Sequence, residues 1–190
     1  MKSMRGAVLA LALVAGAGPL QAQMQPMQSS PPRKPTSLQL TGGMIIPVFS
    51  YADFTTDIGW QAQAAIVVRR GAFNHIRLEG QYSDVGFESS GISGSSKVYG
   101  GGIGGGRVLT RGGVQQEGYL VLGAYEFDGA ASIGGTTTAH KELQFGTKVG
   151  VNAVVVGRNS RVQPVIDLHW LTTWSTPYVN IIFIGAGLRF

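Results

Sequence analysis

From residue 37 to the end of the chain, apolar and polar side chains alternate with a period of two, a spacing that lays one face of an extended strand against an apolar medium. Residues 37–47 set Leu38, Leu40, Met44 and Ile46 against Gln39 and Thr41. Residues 59–69 set Trp60, Ala62, Ala64, Ile66 and Val68 against Gln61, Gln63 and Arg69, and residues 73–83 set Ile76, Leu78 and Tyr82 against His75, Arg77, Glu79 and Gln81. The same reading gives strands near 97–110 (Tyr99, Ile103 and Leu109 outward) and near 116–128. In the latter Tyr119, Val121, Tyr125 and Phe127 are placed on the apolar face and Glu126 opposite. Near 140–153, Leu143, Phe145, Val149 and Val151 oppose Glu142, Gln144, Lys148 and Asn152. Near 162–171, Ile166, Leu168 and Trp170 oppose Asp167 and His169, and near 178–190 Ile182, Ile184, Ala186, Leu188 and Phe190 oppose Gly185, Gly187 and Arg189.

Eight strands is an even number, and the connections alternate. Those near 70–72, 111–113 and 157–160 are tight. Those at 47–58, 84–96, 129–139 and 172–177 read as long loops rich in Gly, Ser, Thr and Asp. Alternating short turns and long loops are the habit of antiparallel up-and-down membrane barrels. Composition agrees: 13% of residues are charged and 29 are glycine, so the chain has little ionic surface to offer water. No run reaches the roughly 18 apolar residues of a membrane helix, so a bilayer crossing must use strands that pair one another's backbone groups.

Residues 1–22, with Lys2 and Arg5 before an apolar core at 7–17 and Gly18-Pro19 ahead of Ala22, read as a secretory signal peptide. Residues 23–36, rich in Pro, Gln and Ser, read as a flexible linker. The net charge of +5 falls to +3 without Lys2 and Arg5, and the remaining Lys and Arg form no basic helix, so no nucleic-acid partner is expected. Absence of cysteine excludes a disulfide framework and a thiolate metal site. Met24 and Met27 lack His or Cys company for copper, and Gly100, Gly102 and Gly105 lack the following helix of a nucleotide loop. No cofactor and no metal are expected.

Two barrels fit eight such strands: a soluble lipocalin-like one with an apolar interior for a small ligand, and a membrane one with a polar interior. In the membrane form Arg69, Arg77, Lys148 and Arg189 face inward with Glu79, Glu126, Glu142 and Asp167, four cations against four anions. Isolated buried charges are costly, so these groups are expected to pair into a plug without a wide channel, a small passive pore being the variant of this reading. Trp60, Tyr82, Tyr99, Tyr125, Phe127, Trp170 and Tyr178 are expected to form an aromatic girdle near the long-loop end, with Phe73, Tyr119 and Phe190 near the turns.

The closing Gly185-Ala186-Gly187-Leu188-Arg189-Phe190 resembles the carboxy-terminal β-signal of bacterial outer-membrane proteins, carried by Gly185, Leu188 and Phe190. Thr41-Gly42-Gly43-Met44-Ile45-Ile46-Pro47, with Tyr51-Ala52-Asp53-Phe54, is similar to the first hairpin of the OmpA/OmpX-like outer-membrane β-barrel superfamily. The resemblance implies an outer-membrane location among lipids and lipopolysaccharide, insertion by the barrel-assembly machinery, and a structural or surface-interaction role. Lipid-modifying enzymes on this fold use a His with Ser and an acid near the outer leaflet. Here His169, Asp167 and Ser175 share a loop end, but His169 and Asp167 are assigned inward and no His-x-Ser pair exists, so catalysis is not expected.

Overall fold

The computed structural model describes residues 36–48, 55–56, 58–70, 74–89, 92–111, 113–156, 161–175 and 179–190. The signal peptide, nearly all of the linker, the first loop's Tyr51 to Phe54, and Phe73 and Tyr178 of the expected girdles lie outside the described residues. The described chain forms strands β1 (Thr36–Pro47), β2 (Thr55–Thr56), β3 (Gly59–Arg70), β4 (Asn74–Ser89), β5 (Ile92–Arg111), β6 (Val114–Ile133), β7 (Thr136–Val155), β8 (Gln163–Thr173) and β9 (Asn180–Arg189). No helix occurs among the described residues.

All eight long strands are antiparallel to their neighbours. β1 pairs with both β3 and β9, and β4 pairs with β5, so the sheet closes on itself. Consecutive long strands pair with one another in chain order and run alternately up and down, as expected of an up-and-down barrel. The residue partners of Thr36 can be followed strand by strand: Val68, Ile76, Gly105, Leu120, Val149, Trp170 and Ile182. Ile182 in turn pairs with Ile46. The circuit therefore returns about ten residues up β1, and for eight strands this stagger tilts them roughly 40° from the barrel axis.

The faces follow the period-two pattern. Outward lie Leu38, Leu40, Met44, Trp60, Ile66, Leu78, Ile103, Phe145, Ile166 and Leu188, all exposed. Inward and buried lie Gln39, Gln61, Gln63, Arg77, Glu79, Gln81, Lys148, Asn152 and Asp167. This is an inside-out protein, polar within and apolar without, which rules out the lipocalin-like arrangement. On β7 the outward side chains from Leu143 to Val155 form a belt whose height, after tilt, is roughly 30 Å, close to the apolar band of an outer-membrane barrel. Trp60, Tyr82 and Tyr99 lie on three adjacent strands of the outer face with successive ring centroids 5.1 Å apart. Trp170, half-buried, shares that outward face.

Two of the expected long loops are strands. Residues 84–96 continue β4 and β5 up to Ser89 and down from Ile92, and residues 129–139 are the upper β6–β7 hairpin, turning at Gly134-Gly135 with both φ values positive. Their Gly, Ser and Thr content reads as loop when each segment is taken alone, but cross-strand pairing over Ile92–Arg111 and Val114–Ile133 overrides the local propensity.

The faces of β6 are reversed relative to the sequence expectation. Tyr119, Val121 and Tyr125 point into the barrel and are almost wholly buried, whereas Leu120 and Leu122 face outward. Both faces of this strand are apolar, so alternation alone cannot fix its sign. Glycine on the neighbours decides it: a Cβ at Gly150 would lie 2.5 Å from the Tyr119 ring, and one at Gly100 would overlap Tyr125. The large rings fill space that only glycine leaves open.

Glycine is also required at the seam. A Cβ at Gly187 would lie 1.8 Å from the Leu40 carbonyl oxygen across the β1–β9 pairing, whereas one at Gly118 would meet nothing within 4 Å. Gly187→Ala should therefore cost about 1–3 kcal/mol in reversible urea unfolding from lipid or detergent, and Gly118→Ala should stay within about 0.5 kcal/mol of the parent.

Candidate functional site: the barrel interior and the loop-end sheet

The interior is layered. Toward the loop end Ile45, Val85, Val98, Tyr125, Leu171, Val179, Ile181 and Phe183 form an apolar cap inside the ring, with Phe127 packed against it. The interior is thus only partly polar. Phe183 is the inward counterpart of the outward-facing Ile182 and Ile184, and it stacks on His169 with ring centroids 4.5 Å apart.

Below the cap, β4, β7 and β8 converge on one ionic cluster. The Arg77 Nε donates to Glu79 at 2.5 Å, its Nη2 lies 3.8 Å from Asp167, and its guanidinium sits 4.4 Å above the centre of the Tyr119 ring. The Lys148 ammonium pairs with the other Glu79 oxygen and donates to the side-chain oxygens of Gln81 and Gln63. Asp167 accepts from the Tyr119 hydroxyl at 2.8 Å and lies 3.3 Å from His169 Nδ1. Arg77, Lys148 and Asp167 are wholly buried, so each charge depends on its partners inside the ring.

A second cluster lies toward the turn end. Arg189 grips Glu117 through two guanidinium nitrogens, both at 2.5 Å, and reaches Gln39 as well. Arg69 approaches the same carboxylate at 3.5 Å, and Gln115 also donates to it. Two guanidinium groups share one carboxylate fully removed from water.

Of the eight expected interior ions, Arg69, Arg77, Glu79, Lys148, Asp167 and Arg189 are brought together inside the ring. Glu126 is not. Because the faces of β6 are reversed, Glu126 points outward and pairs with Lys141 at 2.8 Å, and the hydrogen bond it supplies raises the Lys141 pKa. Its interior place is taken by Glu117, nine residues earlier and of opposite parity. Glu142 keeps the inward parity but stands at the mouth, half-exposed beside His140. The deep interior therefore holds four cations and three carboxylates instead of an even balance. Tyr125, expected in the girdle, is instead part of the cap. The signal that could have placed Glu117 is its spacing of two from Gln115 and Tyr119, a polar run of the kind seen at Gln61-Ala62-Gln63 on β3.

Above the belt the sheet continues without a full ring. β8 pairs with β7 only between Gly146 and Val154, while β7 runs up to Thr136 against β6. The Trp174 amide donates to the Phe145 carbonyl at 2.9 Å, so Phe145 turns its backbone groups toward the β8 side. By strand alternation Leu143, Lys141, Ala139 and Thr137 turn theirs the same way, where no described strand meets them. Among the described residues this leaves an exposed, unpaired sheet edge. At its foot the outward side chains Asp84, Lys97, Asp128 and Lys141 oppose one another across four strands, an alternating ladder of charge just above Tyr82 and Tyr99.

These features define an eight-stranded, inside-out β-barrel, the fold of small outer-membrane barrel proteins. The solved structure of a major outer membrane protein from Thermus thermophilus is similar, with a TM-score of 0.58 at 12% identity over 82% of this chain and 98% of that one. Neisserial surface protein A gives 0.54 at 14% identity over 82% and 96%. No protein-family model and no curated protein sequence matches the chain.

The interior assignment has a direct test. Glu117→Gln leaves Arg189 and Arg69 without their shared counter-charge and should destabilise the folded barrel by about 3–5 kcal/mol in urea titrations. Glu126→Gln, which removes only an exposed pair, should change stability by less than about 1 kcal/mol.

Proposed function

We propose that this chain is an integral outer-membrane protein whose barrel serves as a closed anchor, carrying a surface-exposed sheet that meets partners outside the cell. The observation that carries the reading is the combination of an apolar belt of roughly 30 Å with a hairpin sheet that rises above it and ends in the open edge of β7, Thr136–Leu143. A strand edge with free amides and carbonyls accepts an added strand from another chain, main-chain hydrogen bonds supplying affinity and alternate side chains supplying choice. Lys141 and Glu142 break up its apolar residues, which limits indiscriminate edge pairing.

The barrel itself offers no wide conduit in this reading. The Arg77–Glu79–Lys148 cluster crosses the interior, and the apolar cap lies above it. No catalytic step is included either, since Asp167 and His169 are buried against Tyr119, Phe183 and Arg77 instead of facing a lipid substrate. Lipids and lipopolysaccharide are the surroundings of the outward belt. Insertion by the barrel-assembly machinery is the proposed route, with β9 and its Gly185, Leu188 and Phe190 as the recognised strand.

The chain contains no cysteine, which makes its topology easy to test. Thr138→Cys, at the sheet edge, should react with a membrane-impermeant maleimide on intact cells. Asn74→Cys, at the opposite end of the barrel, should react only after the outer membrane is permeabilised. Equal labelling of both on intact cells, or of neither, contradicts the proposed orientation.

A further inference from the structure

The turn end of the barrel carries an arrangement that neither the plug nor the sheet edge uses. Arg70 on β3, Asn74 on β4 and Arg107 on β5 are direct cross-strand partners. All three are exposed and share the outward face of their strands, so the two guanidinium groups flank one amide across roughly 10 Å, two strand spacings. Arg111 projects from the same face of β5 one turn-ward step beyond Leu109, which is itself exposed. Beside Arg107, the paired position on β6 is Gly118, next to which a side chain would meet open space, so nothing covers the guanidinium from that flank.

The charge of this cluster is uncompensated. Among the described residues Arg70, Arg107 and Arg111 make no ion pair. The side-chain carboxylates that are not buried inside the barrel and whose surroundings are described, Asp84, Glu126, Asp128 and Glu142, belong to the other end. Immediately toward the belt from the arginine row lie Ile76 and Leu120, exposed on the lipid face, with Gly105 between them. An apolar slot bordered by a row of guanidinium groups and an amide has the chemistry of a lipid site: acyl chain below, phosphate at the row. Guanidinium groups bind phosphate through paired N–H donors, and an amide between them adds a further donor.

We propose that Arg70, Asn74, Arg107 and Arg111 form a headgroup site for an anionic glycerophospholipid of the periplasmic leaflet. This rests on the outer-membrane reading above, which places the turns on the periplasmic side. Three positive charges without a nearby carboxylate favour a headgroup of net negative charge, such as phosphatidylglycerol, over a zwitterionic one. A soluble phosphate compound would find the same donors but would leave the slot over Gly105 empty.

The test uses the full chain folded into nanodiscs of phosphatidylcholine with a minor share of phosphatidylglycerol, followed by gentle release and native mass spectrometry. The parent should retain phosphatidylglycerol over phosphatidylcholine by on the order of tenfold relative to the supplied ratio. The Arg70→Gln/Arg107→Gln/Arg111→Gln variant should lose most of that preference. Lys97→Gln/Lys141→Gln, at the loop end, should keep it. Retention unchanged in the triple variant, equal loss in the loop-end variant, or displacement of the lipid by millimolar glycerophosphoglycerol would overturn the site. Failure of all three proteins to enter nanodiscs would instead contradict the membrane reading, so the two ideas fail separately.

Discussion

The structure depends on one constraint: in hydrocarbon, each backbone amide and carbonyl must find a partner within the protein. For a chain without a long apolar run, ring closure is the way to meet it. β1 carries that burden, pairing with β3 on one side and with β9 on the other over Gln39 to Pro47. The close approach of β9 to β1, with Gly187 against the Leu40 carbonyl and Gly43 against Ile184, shows how little room the seam leaves for side chains.

Closure then dictates the interior. Eight strands leave space only for side chains, so charged groups forced inward by the alternation must find partners among one another there. Arg77 and Lys148 divide the two oxygens of Glu79, and Arg189 takes both oxygens of Glu117. Rings occupy the places where neighbouring strands carry glycine, as Tyr119 does at Gly150 and Tyr125 at Gly100. Polar pairing, aromatic filling and glycine spacing act as one packing solution, and substitution of any member is felt by the others.

Much of this was legible in the sequence, and the exceptions have physical causes. On β1, β3, β4 and β7 one face is polar and the other apolar, so alternation fixes both the strand and its orientation. On β6, Tyr119, Val121 and Tyr125 face Leu120 and Leu122 with no polar contrast, and the sign of the alternation is set by space across the sheet, which only the neighbours' glycines reveal. Glu117 and Glu126 exchanged roles for that reason. The upper hairpins were hidden because their many glycines have weak strand preference and their Ser and Thr positions give no polar–apolar contrast, so their pairing depends on partners already held in register by the barrel below. The apolar cap was hidden because Ile45, Ile181 and Phe183 interrupt the polar face only near the loop end, in segments apolar on both sides.

Closure of the chain into a lipid-embedded ring stabilised from within is the feature on which all the others rest. Electrophoretic mobility in dodecyl sulfate, compared for samples of the outer-membrane fraction kept cold and samples boiled, tests it most directly. A closed barrel resists the detergent at low temperature, so the unheated protein should migrate ahead of the boiled one. Recovery of the protein in the soluble fraction without detergent, with one mobility at both temperatures, would contradict the account.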